Sequence, residues 1–147
     1  MVVIRRVVEK DVERLATLMK EYIVDFYHQP EPPRKEIVSH IELVLADPSK
    51  GVQYVAEEQN RLLGFATIYV TFSTLKLKKT AILNDLYVLP MNRGNKVGEK
   101  LFQSCETYVK EHDLVGLSWE TATENEVAQN FYKKMGGEKS RWLHYEK

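Results

Sequence analysis

The sequence predicts a mixed α/β fold whose elements follow the order β-α-α-β-β-β-α-β-α-β. Apolar residues recur at helical spacing in four segments, and they alternate with polar residues in the segments between them. Short polar turns join the three middle strands, which predicts an antiparallel meander. The strand, helix and strand that follow need a crossover connection, so the second of these strands must return parallel to the first. We therefore expect a mostly antiparallel sheet with one parallel pair, covered by helices.

The first half of the chain is predicted to form one strand and two helices. "VVIRRVV" has the composition of a strand, and the acidic "EKDVE" opens a helix whose apolar stripe extends to Phe26. The prolines of "QPEPP" predict a stiff connector, because the residue before a proline is biased away from the helical region. A second helix follows with Ile37 and Ile41 on one face, and "DPSKG" ends it.

The second half contains the meander and the crossover. "VQYVAEE", "LLGFATIYVTF" and "TAILNDLYVL" are predicted strands, followed by a helix in "VGEKLFQSCETYVKEH" and a short strand in "LVGLSW". The last helix is expected in "NEVAQNFYKKM", where Thr123 and Glu126 have the spacing of a capping box and Gly136 supplies the left-handed stop. "EKSRWLHYEK" is predicted to be a final strand. No repeat or linker divides residues 1–147, so we expect a single domain.

Composition argues against several classes of protein. The 21 basic and 21 acidic side chains cancel, so no general nucleic-acid or membrane surface built on positive charge is expected. The single cysteine, Cys105, cannot form an internal disulfide, and the four histidines lack the spacing of a metal site. The N-terminus reaches charged residues after four positions, and no apolar run approaches a membrane span. We expect a soluble, cytoplasmic protein without a metal.

The stretch "PMNRGNKVG" lies between a predicted strand and a predicted helix, at the carboxyl end of the strand that enters the crossover. The first amides of a helix have no partners within it, and the helix dipole favours an anion there, so the stretch is a candidate phosphate site. It lacks the Gly-Lys-Ser/Thr triplet of nucleotide-binding loops and the G-x-G-x-x-G of dinucleotide-binding folds. Considered alone, such a stretch is more often an ordinary strand-to-helix turn than a ligand-binding loop.

The surroundings of this loop resemble a known family. "ILNDLYVLPMNRGNKVGEKLF" followed by "NEVAQNFYKKMGG" is similar to the acyl-CoA-binding core of the GNAT superfamily of N-acetyltransferases, in which a strand precedes R/Q-x-x-G-x-G/A and a helix. The resemblance extends from Ile82 to Gly137, and the order of the elements outside it also agrees. It implies transfer of an acetyl group from acetyl-CoA to an amine.

The resemblance also implies which residues bind CoA. Backbone amides of the loop would surround the pyrophosphate, and the loop residues concerned are Arg93, Gly94, Asn95, Lys96, Val97, Gly98 and Glu99. Lys96 occupies the position where the family usually has its middle glycine. If that position requires a positive φ, a side chain there costs about 1 kcal/mol or more, and attraction between its ammonium and the phosphate would offset part of this cost.

The same resemblance assigns roles around the acetyl group. Leu86 and Val88 would offer main-chain groups to the acetyl carbonyl and the pantetheine arm, and a fixed N–H polarises a carbonyl without reorganisation. Asn125 would bond the pantetheine arm, and Tyr132 would be the acid that protonates the departing thiolate. Periodicity alone would make Tyr132 an ordinary boundary aromatic beside the apolar stripe of its helix.

The base and the amine pocket follow from a narrower similarity. "NDLYV" resembles the "EDLYV" or "EDFFV" of polyamine and other small-amine acetyltransferases, so Asp85 matches a candidate base while Asn84 replaces a carboxylate. Glu120 is a second candidate carboxylate on the neighbouring strand. Each could also be an ordinary solvated acid. The candidates to line the amine pocket are Tyr69, Ser73, Thr74 and the connector "DFYHQPEP".

These observations favour an N-acetyltransferase that acts on a primary amine of a small molecule, such as a polyamine, a diamine or an amino acid derivative, by direct attack in a ternary complex. Two alternatives stay open: an acetyltransferase of protein lysines or N-termini, and a non-catalytic CoA-binding module. Because related small-amine enzymes are commonly dimers, a homodimer is also an expectation.

Overall fold

A five-stranded sheet forms the centre of the structure, a computed structural model that describes residues 1–147. The strands lie side by side in chain order: β1 (Val3–Arg6), β2 (Gly51–Glu58), β3 (Arg61–Ser73), β4 (Lys78–Val88) and β5 (Leu117–Ser118). β1 to β4 are antiparallel, and β5 pairs parallel with β4. The predicted fold class, a mostly antiparallel sheet with one parallel pair, is confirmed.

Helices cover both faces of the sheet. They are α1 (Val12–Glu21), α2 (Arg34–Ala46), α3 (Val97–Glu111) and α4 (Glu126–Lys134). Side chains alternate along the strands, so Val55 and Phe65 pack under α1 and α2, whereas Ala56 and Ala66 pack under α3. α4 contributes Phe131 and other partly buried side chains to the α3 face. No helix is both long and apolar enough to cross a bilayer.

The pairing of β4 with β5 is short. Only Ala81 and Ile82 pair with the two residues of β5, so the edge of β4 from Leu83 to Val88 has no strand beside it. The sheet therefore splays open at the carboxyl end of β4. α3 begins beyond this end, after a loop that includes one 3₁₀ turn at Pro90–Asn92.

A β-bulge interrupts β4 within this open stretch. Thr67 pairs with Asp85 while the next residue of β3, Ile68, pairs with Leu83, so Asn84 is an extra residue with no partner on β3. The bulge resets the alternation of the strand. Leu83 packs on the α3 face, and Asp85 is turned to the opposite face, where α1 lies.

Two predicted details are wrong. Residues 138–147 form no strand; Trp142, Leu143 and Tyr145 are 80–84% exposed, and the two-residue β5 offers too short an edge for a ten-residue strand to pair with. The predicted capping box does not form, because α4 begins at Glu126 and its N-cap is therefore Asn125. Thr123 lies too far before the helix and bonds the side chain of Glu124 instead.

A buried carboxylate holds the start of α1 against the sheet. Asp11 is fully buried and accepts hydrogen bonds at 2.7 and 2.9 Å from the guanidinium of Arg5, at 2.9 Å from Arg14 and at 2.8 Å from the backbone N–H of Val8. Glu57 on β2 joins both arginines to the same network. The hydrogen bonds from Arg5, together with those from Val8 and Arg14, hold the pKa of Asp11 far below its usual value despite its burial.

This network predicts an acid-sensitive contribution to stability. Because the pKa of Asp11 is lower in the folded chain than its ordinary 3.8, its contribution is complete above about pH 4 and is lost as the pH falls below that value. We expect Asp11→Asn to lower the free energy of unfolding by about 2–3 kcal/mol at pH 7, since it removes the buried anion that Arg5 and Arg14 share and leaves them only Glu57. Urea unfolding at pH 7 and pH 3 measures both effects.

The control is Glu13→Gln, which removes an exposed ion pair with Arg34 and should change the free energy of unfolding by less than about 1 kcal/mol. A deficit of Asp11→Asn that stays the same at pH 3 would show that the charge of Asp11 does not cause the stabilisation.

Candidate functional site

A cleft of about 560 Å³ lies where the sheet splays open. Its walls come from the end of β4, the loop before α3, the first turn of α3 and one side of α4, and Phe26 closes one end. The lining residues that the sequence also predicted as site residues are Leu86, Val88, Arg93, Gly94, Lys96, Val97, Gly98, Glu99, Asn125 and Tyr132. The structure therefore brings most of the predicted site together.

The backbone of β4 turns N–H and C=O groups towards this cleft that no strand pairs with. The N–H of Leu89 donates to the carbonyl of Leu63 at 2.8 Å, which makes these two residues a hydrogen-bonded pair of the antiparallel ladder. Because such pairs alternate with non-bonded ones, the N–H and C=O groups of Val88 and Leu86 point away from β3. No strand lies on that side, so these groups are turned towards the cleft.

Arg93 fastens the loop to the rest of the site. Its Nε donates to the carbonyl of Val88 at 2.9 Å, and its guanidinium lies 5.6 Å from the ring centroids of both Phe26 and Tyr87. The side chain thus joins the loop, the end of β4 and the segment after α1. The other N–H donors of the Arg93 guanidinium are at the lining of the cleft.

The loop has the geometry of an anion cradle. Lys96 is the N-cap of α3, and its carbonyl accepts the hydrogen bond from Lys100 N–H at 3.0 Å. The amides of Val97, Gly98 and Glu99 therefore have no partners within the helix, and the positive end of the helix dipole lies beside them. The residues present fit the pyrophosphate of CoA.

Lys96 adopts the left-handed conformation that its place in the loop requires, with φ 63° and ψ 14°. Gly94, two residues earlier, also has a positive φ of 85°. A non-glycine residue in this region is strained by about 1 kcal/mol. The substitution of lysine for glycine is therefore tolerated at a cost in backbone energy.

α4 faces the cleft from the other side. The Oδ1 of Asn125 caps the helix by accepting the N–H of Ala128 at 3.0 Å, which leaves its Nδ2 donors for the cleft. The Tyr132 ring packs 5.2 Å from Trp119. Burial, with a smaller contribution from Tyr27, raises the pKa of Tyr132, so its hydroxyl carries a proton at neutral pH. An ion pair of 3.2 Å between Lys134 and Glu99 joins α4 to the first turn of α3.

The two candidate bases occupy different places. Asp85 lies on the α1 side of β4, where the bulge directs it, and accepts a hydrogen bond from Asn84 Nδ2 at 3.1 Å. Glu120 does not line the cleft; its side chain is 77% exposed and lies 3.4 Å from the ring of His144. Asp85 does not line the cleft either, but it directly precedes Leu86, which does.

The sequence placed Phe26 and Tyr27 in the candidate amine-pocket connector, but it did not indicate that Tyr22 joins them beside Asp85. α1 continues into a π-helical turn, Tyr22–Phe26, followed by Tyr27. The rings of Tyr22, Phe26 and Tyr27 contact one another with centroids 4.9–6.1 Å apart. The signal in the sequence is "YIVDFY", which has aromatic residues at offsets of four and five, but a regular helix would keep Phe26 beside Tyr22 and turn Tyr27 about 140° away from it.

Comparison with known proteins agrees with this site. Residues 15–137 match the model of the Acetyltransferase (GNAT) family, and this match covers β2 to β5, the residues that line the cleft, and α4. The chain is 27% identical over 150 residues to the uncharacterized N-acetyltransferase YhfO of Bacillus subtilis, an alignment that covers 97% of this chain and 94% of that protein.

Two further relatives are informative. The crystal structure of a probable acetyltransferase superposes with a TM-score of 0.84 at 31% identity, over 99% of this chain and 95% of that one. A Bacillus subtilis protein provisionally assigned as a ribosomal protein bS18 alanine N-acetyltransferase is 34% identical over 82 residues, or 56% of this chain and 50% of that protein. Since the family model spans the greater part of the sequence, the chain belongs to the GNAT family and is an N-acetyltransferase.

Proposed function

We propose that this enzyme transfers the acetyl group of acetyl-CoA to a primary amine of a small molecule, such as a polyamine, a diamine or an amino acid derivative, by direct attack in a ternary complex. The observation that supports this most strongly is the open edge of β4. This edge lies between the anion-binding start of α3 and Tyr132 of α4. Asp85 and the π-helical turn Tyr22–Phe26 are next to it. A thioester held along this edge would meet an amine that enters from the side of Asp85.

The cradle and the open edge would hold the co-substrate. Amides from Gly94 through Glu99 would bind the pyrophosphate, the Nδ2 of Asn125 would bond the pantetheine arm, and the backbone groups of Leu86 and Val88 would align the arm along the edge. Loops and helix termini position these groups before the substrate arrives, which lowers the entropic cost of the reaction.

Three groups of this chain would carry the chemistry. Asp85, directly or through a water molecule, would accept the proton that the substrate ammonium must lose before its nitrogen attacks the thioester carbon. A backbone N–H of β4 would stabilise the developing oxyanion. Tyr132 would donate its proton to the sulfur as the C–S bond breaks, so the products are an acetamide and the free thiol of CoA.

Direct attack is favoured over an acetylated cysteine. Cys105 is fully buried in the α3 face of the core, and burial raises the pKa of its thiol to about 12. A thiol that neither contacts the cleft nor ionises at neutral pH is a poor nucleophile.

Glu120, which is exposed outside the cleft, is the control residue for Asp85. The variant Glu120→Gln should keep its activity, whereas Asp85→Asn should lose it.

One relative supports a second candidate function. The provisional assignment of the bS18 alanine N-acetyltransferase favours a protein N-terminus as acceptor, and its match covers about half of this chain. A homodimer and a cytoplasmic location belong to the proposal as well, and light scattering on the purified chain tests the first of these.

The release of free thiol from acetyl-CoA tests these proposals when it is assayed with a panel of amines. We expect turnover with at least one of 1,4-diaminobutane, spermidine and lysine methyl ester, and little with a peptide that begins with alanine. The opposite preference would favour the protein substrate. Thermal stabilisation by acetyl-CoA without turnover on any acceptor would favour a CoA-binding module instead.

Tyr132→Phe should lower kcat by about 10²-fold, because it removes one general acid while the ring keeps its packing. The KM for acetyl-CoA should stay nearly constant. The matched control is Tyr145→Phe, which changes an exposed tyrosine outside the cleft. Steady-state kinetics on the best amine of the panel measures both, and an unchanged kcat would remove Tyr132 from the mechanism.

Substitutions of Lys96 separate geometry from charge. Lys96→Ala removes the ammonium and keeps the Cβ in the left-handed conformation, whereas Lys96→Gly also relieves the strain. We expect Lys96→Gly to be more stable to heat than Lys96→Ala by about 1 kcal/mol. Calorimetric titration with acetyl-CoA should give weaker binding for both variants than for the native chain if the ammonium attracts the phosphate. Tighter binding by Lys96→Gly alone would mean that geometry dominates.

A further inference from the structure

The turn that ends α1 gathers three aromatic side chains. The N–H of Tyr27 donates to the carbonyl of Tyr22 at 3.1 Å, a bond across five residues instead of the usual four. This wider turn brings Tyr27 over Tyr22, with ring centroids 5.0 Å apart and planes at 88°. Isolated π turns within helices are frequent at functional sites.

Asp85 lies beside Tyr22. Tyr87 is two residues further along β4 on the same face, and its ring is 5.4 Å from that of Tyr22. Thr67, the partner of Asp85 on β3, lies two residues from Phe65, whose ring is 5.3 Å from Tyr22. The pKa of Tyr22 is raised, first by burial and then by the charge of Asp85, which agrees with this closeness.

The side-chain oxygen atoms of Asp85, Tyr22 and Tyr27 can accept hydrogen bonds from a ligand. The carboxylate of Asp85 receives one hydrogen bond, from Asn84 to Oδ1, and its Oδ2 receives none. The Tyr22 hydroxyl lies close enough to Asp85 and Tyr27 to interact with both. A tyrosine hydroxyl that donates its one proton keeps its oxygen lone pairs, so Tyr22 and Tyr27 can each accept a hydrogen bond from a ligand.

Tyr69 is also a neighbour of Asp85, but its hydroxyl already has a hydrogen-bond partner. The charge of Asp85, after burial, helps to raise the pKa of Tyr69 to about 12, but the Tyr69 hydroxyl is already joined to His40 Nε2 at 2.7 Å. On the other side, Tyr27 influences the pKa of Tyr132 and its ring contacts Phe26, which lines the cleft. The acceptor oxygens of Asp85, Tyr22 and Tyr27 therefore lie next to the proposed site of acetyl transfer.

We propose that Asp85, Tyr22 and Tyr27 form the binding site for a primary ammonium group of the acceptor. An ammonium on a carbon chain has three N–H donors, and these residues supply one anionic and two neutral oxygen acceptors. The inference rests on the proposed function, since it names the group that this site recognises. It assigns selectivity against N-methylated amines to two tyrosines, because each methyl group removes a donor and leaves an oxygen unpaired.

Binding without acetyl transfer tests the site directly. With the protein saturated with CoA, ligand-observed NMR titrations would compare n-butylammonium with butyltrimethylammonium, which has no N–H donor. We expect the primary ammonium to bind the native chain at least about 10-fold more tightly. Equal binding of the two ions would overturn the proposal.

Variants locate the selectivity. Tyr22→Phe and Tyr27→Phe keep their rings and should each reduce the preference by about 3- to 10-fold, since each removes one acceptor from a charged donor. Tyr145→Phe is the matched control, because this exposed tyrosine lies outside the cleft, and it should keep the preference. Unchanged affinity for CoA and unchanged circular dichroism establish that the variants fold. A preference that survives in the double variant would contradict the proposal.

Kinetics separate this inference from the proposed function. For any amine that the enzyme acetylates, Tyr27→Phe should raise the KM of the amine about 5- to 10-fold and keep kcat within about 3-fold. Turnover of amines with an unaltered KM in this variant would disprove the ammonium site alone. If no amine is acetylated, the small-molecule function fails, and the NMR comparison still decides whether the ammonium site exists.

Discussion

The short pairing between β4 and β5 is the constraint on which the rest of the site depends. A backbone N–H or C=O that is removed from water without a partner is costly, and sheets normally satisfy these groups by adding the next strand. Here β5 leaves after two residues, so the groups of Leu86 and Val88 must find partners elsewhere. Arg93 satisfies the carbonyl of Val88, and the remaining groups are available to a bound ligand. The cleft is thus an unfinished sheet edge that a chain-like substrate can complete.

Two insertions of one residue shape the amine side of the site. The bulge at Asn84 turns Asp85 away from the α3 core, where an ionised carboxylate would be poorly solvated, and towards α1. The π turn brings Tyr27 over Tyr22 on the facing helix. Each insertion interrupts regular hydrogen bonding and so weakens its element locally. Together they create a polar, aromatic surface next to the end of an otherwise apolar sheet.

The stability of the fold and the position of the π turn are linked through α1. The Asp11 network fixes the first turn of this helix to β1 and β2, while Leu15 and Ala16 are buried against the sheet. A rigid start determines where the last turn lies, because a helix transmits its position along its axis. The aromatic residues that approach Asp85 are therefore positioned by contacts more than two helical turns away.

The order of the elements from β1 to α4, the parallel crossover and the position of the loop before α3 could be predicted from the sequence, because periodicity and local motifs depend on near neighbours in the chain. The bulge at Asn84, the π turn and the missing final strand could not, since each depends on which backbone groups pair across the sheet or along a packed helix. For the same reason the sequence ranked Asp85 and Glu120 alike, and only the tertiary structure separated them. A strand pattern identifies carboxylates near the end of a sheet, but the direction in which each one points is decided by register, which is set by packing.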